Sequence, residues 1–180
     1  MAFAIDEMVS ALEFGGARSS LFQVKYTNPV DPNGDKKLPF MARAATLPSS
    51  ILGSIEVPYF GRTTKVAGQR VYQDWLVTII NDEDFIVRQA METWQNALNG
   101  HESNLRDSNF VAPETYKADA TVTQYSKDGK ELRTYKFVGM FPTDISPIQL
   151  DWGNTDVIEE FQVNFRFDYF TVSGQTGEVK

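Results

Sequence analysis

The chain has no cysteine. That excludes disulfides, a thiolate nucleophile and any thiolate zinc site, and it fits a reducing compartment. The one histidine, His101, stands in a polar stretch, so no multi-histidine metal site can form within one chain. No apolar run approaches the roughly 18 residues that span a bilayer. The opening Met1-Ala2-Phe3-Ala4-Ile5-Asp6-Glu7-Met8 carries acids where a signal peptide carries bases. These residues predict a soluble protein made in the cytoplasm and not exported by that route. Basic charge is also scarce: 17 Lys and Arg against 24 Asp and Glu leave a formal net charge of −7. Tight nucleic-acid binding draws on phosphate neutralisation by Lys and Arg, and this balance is poorly suited to it.

Catalytic patterns are missing as well. There is no Gly-rich phosphate loop, nucleophile elbow or Ser/His/Asp set. The acids Asp82-Glu83-Asp84 read as a helix start, and Glu159-Glu160 as the solvated start of a strand. No catalytic, cofactor-binding or metal-ligating residue is assigned, and an enzyme is not expected. Trp75, Trp94 and Trp152 offer either buried core or a stacking platform for a sugar or base, and core is the reading adopted.

What the chain does have is alternation. Residues 160–170 read Glu-Phe-Gln-Val-Asn-Phe-Arg-Phe-Asp-Tyr-Phe. Phe161, Val163, Phe165, Phe167 and Tyr169 fall on one side, and Gln162, Asn164, Arg166 and Asp168 on the other. Side chains alternate across a strand, so the segment predicts one long strand with an apolar and a polar face. Residues 71–80 predict a second, with Trp75, Val77 and Ile79 on one face and Tyr72, Leu76 and Ile80 making the other apolar too. Residues 117–125 and 131–138 predict a hairpin across Asp128-Gly129. Residues 21–26, 38–46 and 143–152 read as further extended segments, and 51–70 as an edge strand or loop because Pro58 cannot donate to a ladder.

Two helices are expected. Ile5, Met8, Val9 and Leu12 have helical spacing and stop at Gly15-Gly16. A longer helix follows residue 80, capped by Asn81 or Asp82 and closed by Gly100, with Phe85, Gln89, Met91, Trp94, Ala97 and Leu98 inward. Residues 28–37 hold two prolines and Asn33-Gly34-Asp35, a polar turn or protruding loop. The sum is a mainly β protein: an antiparallel β-sandwich or partly closed barrel with one flanking α-helix and a short N-terminal helix. Residues 1–180 form one domain, with 171–180 a flexible C-terminal extension.

An ordered series of motifs carries a resemblance. Leu21-Phe22-Gln23-Val24 is followed by Ala45-Thr46-Leu47-Pro48, then Val57-Pro58-Tyr59-Phe60-Gly61-Arg62 and Val66-Ala67-Gly68-Gln69-Arg70. Asp74-Trp75-Leu76-Val77-Thr78, Asn81-Asp82-Glu83 and Trp94-Gln95 come next, and Phe141-Pro142-Thr143, Leu150-Asp151-Trp152 and Asp168-Tyr169 close it. In this order the set resembles the tail tube proteins of contractile-tailed, T-even-like bacteriophages. No single motif is specific, but the series spans nearly the whole chain. The 28–37 loop and the segment beyond Phe170 depart from the pattern.

The resemblance implies six copies in a ring, with inner strands joined into one barrel around a channel. It implies rings stacked into a tube inside the contractile sheath, through which DNA passes without specific binding. Tubes of type VI secretion systems and extracellular contractile injection systems share that fold and form the alternative reading. A soluble β-sandwich binding module using the three Trp residues is the alternative from another class. Implied partners are the chain itself, the tail sheath protein, and baseplate and tail-terminator proteins, with no membrane. The implied location is the virion, after synthesis in the host cytoplasm.

Gln162, Asn164, Arg166 and Asp168 are lumen-facing candidates, the channel wall being preferred to the outer surface, with Arg166 neutralised by acids such as Asp168 and Glu160 of its own or the adjacent subunit. Leu47, Pro48, Tyr59, Phe60 and Arg62 are inter-ring contact candidates. Residues 28–37, 47–62 and both termini are expected to be mobile in the free subunit and ordered by neighbouring subunits.

Overall fold

The computed structural model describes residues 5–12 and 16–174. Its organising turn is the Asp-Gly hairpin. Gly129 takes φ 77°, which a side chain would resist. The Ser126 N–H donates to the Lys130 carbonyl at 2.8 Å, and the Ser126 hydroxyl accepts from the Asp128 N–H at 3.0 Å. The turn joins β6 (Ala118–Tyr125) to β7 (Glu131–Ile145), a strand of 15 residues.

Strand β7 belongs to two sheets. One edge pairs with β6, which pairs in turn with β1 (Phe22–Tyr26). The other edge meets β9 (Tyr169–Gly174) over Arg133–Val138 and then β8 (Glu160–Arg166) from Phe141 to Ile145. Beyond β8 lie β5 (Trp75–Ile80) and β2 (Ala42–Ala45), and all of these pairings are antiparallel. Strand β7 bends where Gly139 adopts φ 70° and a β-bulge follows at Pro142. The four-residue helix α2 (Leu38–Met41) packs against β1 and borders β2 and β5. No ladder joins β1 to β2 among the described residues, so the expected sandwich is present and the barrel is open.

The core lies between these sheets. Trp75 stands opposite Phe165, Val77 opposite Val163 and Ile79 opposite Phe161, all six buried. Burying the three β8 side chains contributes about 5–9 kcal/mol as an upper estimate. Phe137 stacks on Trp75 with ring centroids 4.2 Å apart. Helix α3 (Ile86–Leu98) closes the core with Val87, Ala90, Met91, Trp94 and Ala97. Trp94 stacks on Tyr26, and its Nε1–H donates to the Tyr116 carbonyl at 2.9 Å. None of the described helices is long and apolar enough to cross a membrane.

Several local expectations are corrected. The run over residues 160–170 is two strands: the chain breaks at Phe167 and Asp168, leaving Phe167 half-buried and Tyr169 exposed. Both halves still follow β7, whose bend forces the break. Residues 171–174 belong to β9 and bury Val172, so they are no loose tail; residues 175–180 lie outside the described set. Residues 71–80 are likewise divided, at Gln73-Asp74. Leu38 to Met41 is helical before β2 begins, with Pro39 at a helix start that needs no N–H donor. Gln89 of α3 is exposed and Phe85 largely so, while Val87 and Ala90 take the inner positions. The N-cap is neither Asn81 nor Asp82 but Phe85, at φ 52° and without a side-chain cap bond, and the Asp84 carboxylate before it accepts from the Ile86 N–H at 3.2 Å.

The 28–37 loop does not protrude. Asn28 is buried; its Nδ2 donates to the Ala90 carbonyl at 3.1 Å, and its Oδ1 accepts from the Val30 N–H at 2.9 Å. A short 3-10 turn, Pro32–Gly34, seats Gly34 on α3, where an added Cβ would lie 3.1 Å from the Ala90 Cβ. Lys37 completes the docking by donating to the carboxylates of both Asp82 and Asp84. Those hydrogen bonds hold both carboxyls below their usual range and push the Lys37 ammonium up.

Stability drawn from depressed carboxyls is present above their unfolded values near about pH 4 and is lost as pH falls through the folded ones. The raised Lys37 value puts the alkaline limit above about pH 10. The expected result is that Lys37→Met lowers the melting temperature at neutral pH, and that its gap to wild type closes in acid below about pH 4. Thermal melts from pH 2 to pH 8 check this, and a gap unchanged at pH 2 would remove the clamp.

Candidate assembly surfaces

One long element stands almost clear of its own chain, held at its base where Tyr72 packs on Phe167 and Phe170 with ring centroids at 5.7 Å and 5.6 Å. Strands β3 (Ser50–Tyr59) and β4 (Arg62–Tyr72) form a separate two-stranded sheet in which nearly every residue is exposed. At about 3.3 Å per residue, β3 reaches roughly 33 Å from its base. Ile51 pairs with Val71 and Ile55 with Val66, and Val57 and Tyr59 continue the same face. The opposite face holds Glu56 paired with Lys65 at 3.5 Å, together with Leu52, Ser54, Pro58 and Arg70. The hairpin therefore carries an apolar stripe exposed to water on one side.

Its tip is a two-residue turn with Phe60 at φ 43° and Gly61 at φ 79°. A side chain at such a φ costs about 1–2 kcal/mol, yet the turn keeps Phe60 with 91% of its surface exposed. The ring meets Tyr59 edge-on at 4.6 Å. Pro58 is compatible with this strand because each strand of a lone hairpin has one unpaired edge.

The inter-ring candidates divide between the two ends of this element. Tyr59, Phe60 and Arg62 meet at the tip, whereas Leu47 and Pro48 lie just before the base. The lumen candidates divide as well. Gln162, Asn164 and Arg166 line the outward face of β8, but Asp168 sits in the break, ion-paired with Lys117 at 2.7 Å. Within its own chain Arg166 is answered by Asp74 at 3.2 Å rather than by Asp168 or Glu160, and Glu160 binds Arg43. Asn164 Nδ2 donates to Asp144 at 3.3 Å.

A further surface escaped the sequence reading. The connection from β7 to β8, residues 146–159, exposes Leu150, Trp152, Val157 and Ile158. The available signal was four large apolar residues among acids with neither helical nor strand period. Trp152 is fully exposed, while Trp75 is buried and donates through Nε1 to the Thr46 carbonyl at 2.8 Å. The three Trp residues thus form no common platform. Helix α1 (Ile5–Ala11) also exposes Ile5, Met8 and Val9, with Leu12 just beyond it. Among the described residues, no group of three or more His, Asp or Glu is placed to hold a metal ion.

A rigid β body with unpaired edges, an apolar arm and an apolar loop defines a class, the self-assembling structural subunit. A family model described as phage tail tube protein matches residues 11–173, and the chain belongs to that family. It is 33% identical over 168 residues to the tail tube protein gp19 of Enterobacteria phage T4, covering 92% of this chain and 98% of that one. The phage T6 counterpart is 32% identical over the same coverage. Among solved structures, a chain in the PVC sheath/tube terminator structure, from an extracellular contractile injection system, has the same fold. It matches with a TM-score of 0.67 at 17% identity, over 91% of this chain and 100% of that one.

Proposed function

We propose that six copies of this chain close into a ring, that rings stack into a hollow tube inside a contractile sheath, and that DNA passes down the tube into the host. The observation that carries this reading is the uncovered apolar stripe of the β3–β4 hairpin. A lone two-stranded hairpin is marginal in water, so an arm of this length gains its stability against another chain. Strands β1, β2 and β9 each keep one edge without a neighbour among the described residues. Edge pairing by a head-to-tail contact with a closing rotation makes a ring.

The channel wall is assigned to the outward face of β8, through Gln162, Asn164 and Arg166. Its charge is already answered within the chain, so little is offered to phosphates, and each added Lys or Arg contact would raise the salt slope of DNA binding by about 0.9. The sheath, baseplate and tail-terminator proteins are the further partners, the virion is the location, and synthesis occurs in the host cytoplasm. The role is purely structural, with no catalysis and no cofactor. Identity to the T4 and T6 proteins favours a phage tail over an injection-system tube. Sheath, capsid and terminase genes beside this one would support that choice, and a secretion ATPase gene would reverse it.

Negative-stain images of the concentrated protein, with and without baseplate, are expected to show six-fold rings and tubes. Amide exchange over residues 50–72 should be fast in the free subunit and slow in the tube. Compact monomers at every concentration would overturn the reading.

A further inference from the structure

We propose that the β3–β4 hairpin of one copy docks on the 146–159 loop of another copy, with the Phe60 tip beside Trp152. This rests on the tube reading above and names the surface that receives the arm.

The loop is a fixed platform. Its ends are pinned where the Ser146 N–H donates to the Gln162 carbonyl and the Asn81 N–H to the Glu159 carbonyl, both at 2.8 Å. In the middle, Asp151 Oδ1 accepts from the Gly153 N–H at 2.9 Å and shapes a turn. Between these points Leu150, Trp152, Val157 and Ile158, together with polar neighbours that include Asp151 and Glu159, line an open hollow of about 220 Å³. That is smaller than the roughly 300–1,000 Å³ of pockets that take small molecules, and it suits an inserted side chain. Trp is, with Tyr and Arg, among the residue types enriched where binding energy concentrates in an interface.

Charge selects the occupant. The loop has three acids, Asp151, Asp156 and Glu159, and no base, for a net −3. The hairpin over residues 50–72 has Arg62, Lys65 and Arg70 against Glu56, for a net +2 within a chain of −7. The arm is thus a basic segment of an acidic protein, and it is apolar where the loop is apolar. Arg62 sits next to the aromatic tip, so a ring placed in the hollow brings a cation to the rim carboxylates. An acidic helix such as α1, with its own Asp6 and Glu7, lacks that complementarity.

Absence of native cysteine makes the test clean. Tubes of the Phe60→Cys, Trp152→Cys double variant are oxidised and run on non-reducing gels beside each single variant. A ladder of covalently linked copies is expected from the double variant alone. Asn154→Cys replaces Trp152→Cys if loss of the indole prevents assembly.

In parallel, Asp151→Lys with Asp156→Lys, and Arg62→Glu with Arg70→Glu, should each reduce sedimentable tube on the order of ten-fold or more, and all four together should restore it. All four positions are exposed, circular dichroism of each free subunit checks folding, and Asp151→Asn, which keeps an acceptor for the Gly153 N–H, separates loss of charge from loss of the turn. Tubes that form without a ladder, or a four-fold variant no better than either half, would overturn this docking and leave the tube itself standing. A wild-type chain that forms no tubes overturns the earlier reading instead.

Discussion

Trp75→Ala is expected to lower the unfolding free energy by about 3–5 kcal/mol. Trp75 is 1% exposed and lies between Phe137 and Phe165, with centroids at 4.2 Å and 5.4 Å. Truncation removes both ring contacts and opens a cavity that two strands and a stacked ring can only partly fill. It also strips the Thr46 carbonyl of the indole donor at 2.8 Å, which adds the cost of an unpaired acceptor. For a chain of this size the loss corresponds to a melting temperature lower by about 6–20 °C. Phe165→Ala belongs to the same range, whereas Phe167→Ala should cost less because the break leaves that ring half-buried. Trp152→Ala is the control, since a fully exposed indole contributes nothing to the free subunit. Wild-type melting of Trp75→Ala would show that this core assignment is wrong.

Gly139→Ala carries the next largest expected effect, a destabilisation of about 1–3 kcal/mol. At φ 70° an L side chain is strained whatever space surrounds it. Here space is also lacking, because a Cβ would fall 2.2 Å from Asp168 Oδ2 and 2.9 Å from its Cγ. The carboxylate would have to swing away, breaking its contacts to Lys117 at 2.7 Å and 2.8 Å. Adding Asp168→Ala relieves the clash and leaves the backbone strain and the loss of the Lys117 ion pair, which the Asp168→Ala single variant already carries. The double variant should therefore lose less than the sum of the two singles, with the coupling read from denaturant unfolding. Strict additivity would mean that the two residues do not meet at the bend.

Much of this arrangement could be read from the residues, and what escaped has identifiable physical causes. Trp75, Val77 and Ile79 were legible as an inner face because burial on one side of a strand imposes period two. Asp128-Gly129 was legible because the turn needs a residue tolerant of positive φ. The break at Phe167-Asp168 was not. Phe165, Phe167 and Tyr169 keep alternating there, and the interruption is dictated by the bend in β7, remote in sequence. The β3–β4 hairpin was obscured by Pro58 and by a register shift between Leu52 and Ser54, which displaces the cross-strand pairing. The 28–37 segment reads as loop from its prolines, and only the fold reveals that Asn28 finds its partner 62 positions away on α3. Of the surfaces, the hairpin tip was visible through the ordered motifs. The 146–159 loop contributed Leu150-Asp151-Trp152 to the same series, but nothing marked it as a surface, because an interface made by another copy leaves no periodicity in the chain that carries it.

Because β7 runs through both sheets, force applied to one sheet passes to the other along covalent bonds, not only through side-chain packing. The strand is flanked on both edges, by β6 on one and by β9 and β8 on the other. Drawn lengthwise it would load many ladder hydrogen bonds at once, in shear, while a strand peeled from a free edge loads them one after another. The body of the subunit is therefore stiff along β7 and compliant at the arm. In the proposed stack of such bodies, flexure would concentrate at the joints between copies, and each block would transmit thrust with little deformation.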